Sequence, residues 1–367
     1  AVVNGKVIGG SDQTAVTGTT VEISGEAQVN GNVYAGGNRG GQVTGNTSVK
    51  VNGGTVSGNV FGGGYASDVT GTTSLVMTGG TVNGALLGGG EEGNVGDTSI
   101  EVSGGTIYSG VAGGGASGTA GNTKVHITGD TQITGDGYGV VLGGGQYIGA
   151  DVESTSVVIE GNVRITDTWA VEDGGTGLNY GYVYGGGWSG SVNGDTNVVV
   201  KGNALVASGV LGGGSWSDSD LYEGSVKGNT YVEIAENAVI GDTHEGYVYG
   251  GGWGQNVEGS ATVVIKDNAT IKHSVVGGGI DSTVASTDVR IEGGTVGKNI
   301  YAGGYYNDST LPVENSDVLG DASVTISGGT VSGNVYAGGF YSNVNGNASV
   351  TLTGGTVGGD IYGGSEG

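Results

Sequence analysis

One short pattern returns along the whole chain: an aliphatic residue, a variable residue, then a run of small residues, as in "NVYAGG" (32–37), "NVFGGG" (59–64) and "ALLGGG" (85–90). Aligned on its first aliphatic position, it falls at Val7, Val33, Val60, Leu86, Val111, Val141, Val183, Val210, Val248, Val275, Ile300, Val335 and Ile361. The spacing is most often 26 or 27 residues, with longer units in the middle and near the end. A fixed period of this length is the signature of a stacked repeat, in which each unit buries its apolar face only against its neighbours. The repeat runs through all 367 residues, so the chain reads as one domain, 1–367.

Within one unit, "GNTSVKVNGGTVSGNVFGGGYASDVT" (45–70), three β-prone pieces, "TSVKV", "TVSGN" and "NVF", are bounded by Gly, Asn, Asp and Ser. No segment carries a helical period. The expected fold is all-β: a parallel β-helix with three short strands per coil and about twelve coils of roughly 26 residues, stacked about 4.8 Å apart. A coil this large exceeds the hexapeptide type of left-handed helix, so the expected hand is right. Alternation predicts an inward column at Val49, Leu75, Ile100, Val125, Val157, Val198, Val232, Val263, Val289, Val324 and Val350. A second runs from Val51 through Met77 to Leu352, and neither contains a polar residue. Between them lies a mixed, outward column that includes Lys50, Glu101, His126, Glu233, Val264 and Arg290. Gly62 and its equivalents point inward, where only Gly or Ala occurs (Ala35, Ala302, Ala337). The following glycines are expected to take a tight corner, with positive φ and close coil approach. A phosphate-cradling reading of the glycine runs lacks the helix that such loops require.

Eleven basic residues stand against 35 acidic ones, a formal charge of −24. This balance disfavours nucleic acid and anionic membranes and suits cations or basic partners. There is no cysteine, no apolar run that spans a membrane and no visible signal peptide. The absence of capping segments points to a piece of a longer protein, or to end-to-end stacking on other copies.

The motifs "GGTVSGNVFGGG" (53–64) and "GGTVSGNVYAGG" (328–339) resemble the Gly-rich β-solenoid repeats of large bacterial surface adhesins and passenger domains. The resemblance covers the full length and implies an extracellular, cell-surface or filamentous protein. The chain is also slightly similar to calcium-binding Gly-rich nonapeptide repeats, but no Asp recurs at fixed spacing after the glycines.

Extra residues gather before the "VYGGG" strand (134–139, 167–181, 241–246) and after the glycines (215–224, 305–317). Insertions of this kind decorate binding faces of solenoids. Four tryptophans lie there, Trp169, Trp188, Trp216 and Trp253, of which the last three follow the glycine corner in successive coils. They would form a stacked platform about 10 Å tall. With Asp173, Asp218, Asp220, Tyr222 and Asp242 they make candidate carbohydrate ligands, because sugar CH faces stack on rings and hydroxyls bond carboxylates. Tyr65, Tyr147, Tyr305, Tyr306, Phe340 and Tyr341 occupy similar corners, which fits a covering role equally well. A second stripe, from Tyr34 and Phe61 to Tyr336 and Tyr362, alternates outward and would serve either self-stacking that rigidifies the rod or lateral packing against another chain or domain.

The expected function is thus a structural or adhesive solenoid that binds a host or environmental glycan or a protein surface. Two alternatives remain. A polysaccharide-active enzyme would use paired acids such as Glu172/Asp173, Asp218/Asp220 and Asp242/Glu245, directly or through calcium. An ice-binding solenoid would need a flat outward Thr ladder, but Thr47, Thr73, Thr98, Thr123, Thr155 and Thr196 fall in phase with the inward valines.

Overall fold

The computed structural model describes residues 1–135, 140–167, 181–215, 224–242, 246–306 and 316–367. Strand pairs with strand one coil later, in parallel, along the whole chain. One ladder of thirteen strands runs in strict chain order from Val7–Ile8 to Ile361–Tyr362. Its registered residues are the thirteen aliphatic positions on which the repeat aligns. The second and larger sheet holds the long strands, such as Thr98–Val102, and the short ones, such as Thr106–Ile107; in Thr47–Val56 and Thr73–Val82 the long strand, its turn and the short strand run on as one ten-residue stretch. The fold is a parallel β-helix.

Four apolar columns meet inside each coil. Val49 and Val51 come from the long strand, Val56 from the short one and Val60 from the glycine strand, and all four are fully buried in one continuous cluster. Burying each such side chain contributes about 1.5–3 kcal/mol. The Thr47 column lies inside with them. Its hydroxyls at Thr47, Thr73, Thr98, Thr123, Thr155, Thr196, Thr230 and Thr287 donate at 2.5–2.6 Å to the carbonyl of the first small residue of the corner. Each bond satisfies a buried carbonyl that the turning chain leaves open. A threonine ladder of this kind is core, not an exposed flat face.

Much of the acidic and amide content is structural too. The side-chain oxygen of Asp68, Asp97, Asp151, Asp195, Asp317 and Asp321 accepts a backbone N–H from the next coil at 2.7–2.9 Å. Asn32, Asn59, Asn299 and Asn334 do the same along the glycine ladder, at 2.8–3.0 Å. Turns that cannot pair all their backbone groups are thereby stitched together, which explains why "GN" and "GD" recur.

Three expectations need correction, and one column was not expected. The corner glycines are not at positive φ; the left-handed glycines are those of the turn after the long strand, such as Gly54, Gly80 and Gly105, where Glu236 and Asp267 also adopt φ near 57°. The corner demands glycine for a different reason, close contact between coils. The outward stripe from Tyr34 to Tyr336 is not a free surface. It is buried in a second cluster, because the corner residues Tyr65, Trp188, Trp253, Tyr305 and Phe340 fold back over it. It therefore offers no apolar face for lateral packing, apart from Tyr362 in the last coil, which is exposed. Val264 does not face water. It is only 5% exposed, and its in-register neighbours are the long side chains Glu233 and Arg290. Finally, a further apolar column, Val43, Val69, Val95, Ala120, Val152, Val192, Val226, Val257 and Val284, forms a third cluster in the segment returning from the corner.

Candidate functional site

The outer face of the glycine ladder changes character along the rod. Toward both ends an Asn and a Tyr two residues apart form a pair. The amide Nδ2 of Asn32, Asn299 and Asn334 donates to the hydroxyl of Tyr34, Tyr301 and Tyr336 at 2.8–3.0 Å. The rings stack from coil to coil: Tyr34 on Phe61 at 4.9 Å, Tyr301 on Tyr336 at 5.1 Å and Tyr336 on Tyr362 at 4.8 Å, all nearly parallel. That spacing is the inter-strand distance itself. Tyr34 and Tyr301 donate in turn to Glu91 and Glu366. Burial, opposed by the Asn bonds and aided by these carboxylates, pushes both phenols well above the ordinary tyrosine range.

Just past the first zone, at Leu87, Ala112 and Leu142, the aromatic bulk drops out, before Tyr182, Tyr184, Tyr247 and Tyr249 restore it. The sequence at the equivalent positions is Ala85-Leu86-Leu87 and Gly110-Val111-Ala112. A groove of about 430 Å³ opens there, lined by Asn59, Ala85, Ser109, Val140, Gln146, Tyr147 and Trp188. It spans the four consecutive strands that carry Asn59, Ala85, Gly110 and Val140 at their start, three coil rises or about 14 Å. The corner holds its aromatic wall rigidly. Gln146, Tyr147 and Trp188 donate backbone N–H groups to the carbonyls of Gly115, Ala116 and Gly145 at 2.9–3.0 Å. Trp188 packs on the second cluster, whereas Tyr147 is 60% exposed.

The other expected residues are distributed differently. Trp188 pairs in register with Ser215, so the column expected through Trp188, Trp216 and Trp253 passes through Ser215 instead. Trp253 lies edge-on to Tyr182 at 6.1 Å and covers the second cluster, the covering role that corner aromatics share. Asp242 is exposed and is not part of the groove lining. Trp169, Asp173, Trp216, Asp218, Asp220 and Tyr222 lie outside the described residues. Among the described residues no cluster of His, Asp and Glu is arranged to hold a metal ion. Sequence reasoning passed over Asn59, Ser109 and Gln146. The available signal was a break in pattern: Asn59 is followed two residues later by Phe61, not by tyrosine.

No family model, curated protein or solved structure matches this chain.

On the outer face of the long strands a charged ladder crosses several coils. Lys124 pairs with Glu101 at 2.8 Å, Glu101 with His126 at 2.7 Å, His126 with Glu160 at 2.9 Å and Glu160 with Lys201 at 2.9 Å. Partial burial works against the charge on Glu101, but hydrogen bonds from Lys124 and His126 prevail and hold its carboxyl below the ordinary range. Hydrogen bonds from Lys201 and then His126 do the same for Glu160. A folded-state value below the unfolded one adds stability that is complete above the ordinary carboxylate range and is lost as pH falls through the folded values. Glu160→Gln should therefore lower the melting temperature at neutral pH. The gap to the parent should close in acid, below the carboxylate range. A gap that stays constant with pH would show that the ladder contributes no charge-dependent stability.

Proposed function

We propose that this chain is a rigid β-solenoid segment of an extracellular, cell-surface or filamentous protein, and that its groove at Tyr147 and Trp188 binds carbohydrate. The observation that carries the reading is the groove itself. Two aromatic rings and the apolar floor at Ala85 and Val140 stand beside the neutral hydrogen-bonding side chains Asn59, Ser109 and Gln146. A pyranose has the matching chemistry, an apolar CH face and a rim of hydroxyls. The stacked aromatic ladders on both sides stiffen the rod that presents it. The resemblance to surface adhesin repeats supports the same reading.

Immobilised glycans probed with the parent protein and with Tyr147→Ala, with and without calcium, test it. The parent should bind saturably. The variant should lose about 1 kcal/mol or more, roughly fivefold in Kd, and melt unchanged, since Tyr147 is exposed. Calcium dependence would implicate the acids of the middle insertions. Absence of binding by the parent, or equal binding by the variant, overturns the proposal.

A further inference from the structure

We infer that the groove selects an uncharged oligosaccharide and that Asn59 supplies its directing hydrogen bond, an inference that rests on the carbohydrate reading above. The Asn–Tyr pairs of this ladder set the comparison. At Asn32, Asn299 and Asn334 the amide nitrogen is consumed by the tyrosine two residues on. At Asn59 the same column continues, and its Oδ1 accepts the Ala85 N–H at 2.8 Å just as the others accept theirs. The residue two positions on is Phe61, which stacks on Tyr34 but carries no hydroxyl. Among the described residues nothing takes the Asn59 Nδ2 donor, while the backbone bond through Oδ1 fixes the plane of the amide. One oriented donor is thus left open on the wall of a groove, at the coil where the aromatic bulk ends.

Charge then sets the ligand class. Every described lining residue is neutral. On this face of the rod Glu91 already stands as a carboxylate acceptor for Tyr34. Lys6, two coils before Asn59 in the same column, lies over the rings of Tyr65 and Tyr34 at 4.0 and 5.4 Å. The chain as a whole carries −24. A uronate or sialate would enter without a countercharge and against the field, whereas a neutral sugar offers hydroxyl or acetamido oxygens to the open N–H at no such cost.

The full chain is titrated calorimetrically at low salt with cellotriose, maltotriose and chitotriose, and with trigalacturonate and sialyllactose. At least one neutral probe should bind, and the anionic ones at least tenfold more weakly. Phe61→Tyr should rebuild the pair seen at Asn32 and Tyr34, occupy the Asn59 donor and weaken the neutral probe several-fold. The tyrosines at 34, 301 and 336 show that the ladder accepts this hydroxyl. Asn59→Asp keeps the oxygen that receives the Ala85 N–H and removes the donor, so it should weaken binding as well. It also carries the test should Phe61→Tyr fail to fold. Parent-like binding by both variants, while Tyr147→Ala binds weakly, overturns the role of Asn59 and leaves the groove reading intact. Anionic probes that bind as well as neutral ones overturn the selectivity. No binding of any probe by the parent overturns both readings.

Discussion

Val263→Asp is expected to be the most damaging single substitution on the long strands, with a loss of about 4 kcal/mol or more. Val263 has no exposure and sits between Val232 and Val289 in the inward column. A carboxylate there meets only aliphatic neighbours and must protonate or force the coil open. The proper control is not the adjacent Val264, which is buried as well. It is Thr325→Asp, in the outward column beside Arg290, where the new charge meets solvent and a cation. That change should stay within about 0.5 kcal/mol. Chemical denaturation of both variants decides the matter. Similar losses would mean that the two faces of the long strand do not differ as the burial pattern requires.

The inward columns were legible from Val49 and Val51 because two physical facts act on every coil at once. Side chains alternate along a strand, and parallel stacking puts identical positions in contact. A register error in one coil would turn a valine column outward, so the repeat itself carries the register. The column at Val43, Val69 and Val95 was not legible. It pairs through isolated bridges of one residue per coil, flanked by Gly, Thr and Asn, which read as turn. The burial of Tyr34 and Phe61 was not legible either. Alternation tells which side of a strand a residue faces, not whether another part of the chain returns to cover that side. Tyr65 and Trp188 do so from the far side of the corner.

The candidate site shows the same division. Trp188 was recognisable because a large aromatic beside a corner is conspicuous. Tyr147 was visible only as one corner aromatic among several. Asn59 had no distinguishing feature by itself, since asparagine recurs in its column for backbone reasons. Its difference lies in a missing hydroxyl two residues away, at Phe61. A function carried by an absent partner becomes visible only when the complete pairs at Asn32, Asn299 and Asn334 are laid beside it.

The glycine corner yields the other large effect, and it separates two glycines that look alike. Gly89→Ala is expected to cost about 3 kcal/mol, and Gly88→Ala about 1. A methyl group at Gly89 would stand 2.6 Å from the Gly115 nitrogen and 2.7 Å from its Cα, both main-chain atoms of the next coil. Those atoms cannot retreat, because Gly89 itself donates to Gly114 at 3.0 Å and accepts from Gly63 at 2.9 Å. The two coils must separate and break the ladder, or the backbone must distort. At Gly88 the added carbon would also start too close, 2.2 Å from the Gly113 carbonyl oxygen. Yet Ala35, Ala302 and Ala337 occupy that position in other coils and are fully buried, so a small local shift accommodates them. No coil carries anything but glycine at the Gly89 position. Urea midpoints for the two variants measure the difference. Equal losses would show that the corner requires glycine for its backbone freedom at both positions and not for contact between coils. Because the φ angles at this corner are ordinary, contact is the cause that remains, and the second glycine is where it acts.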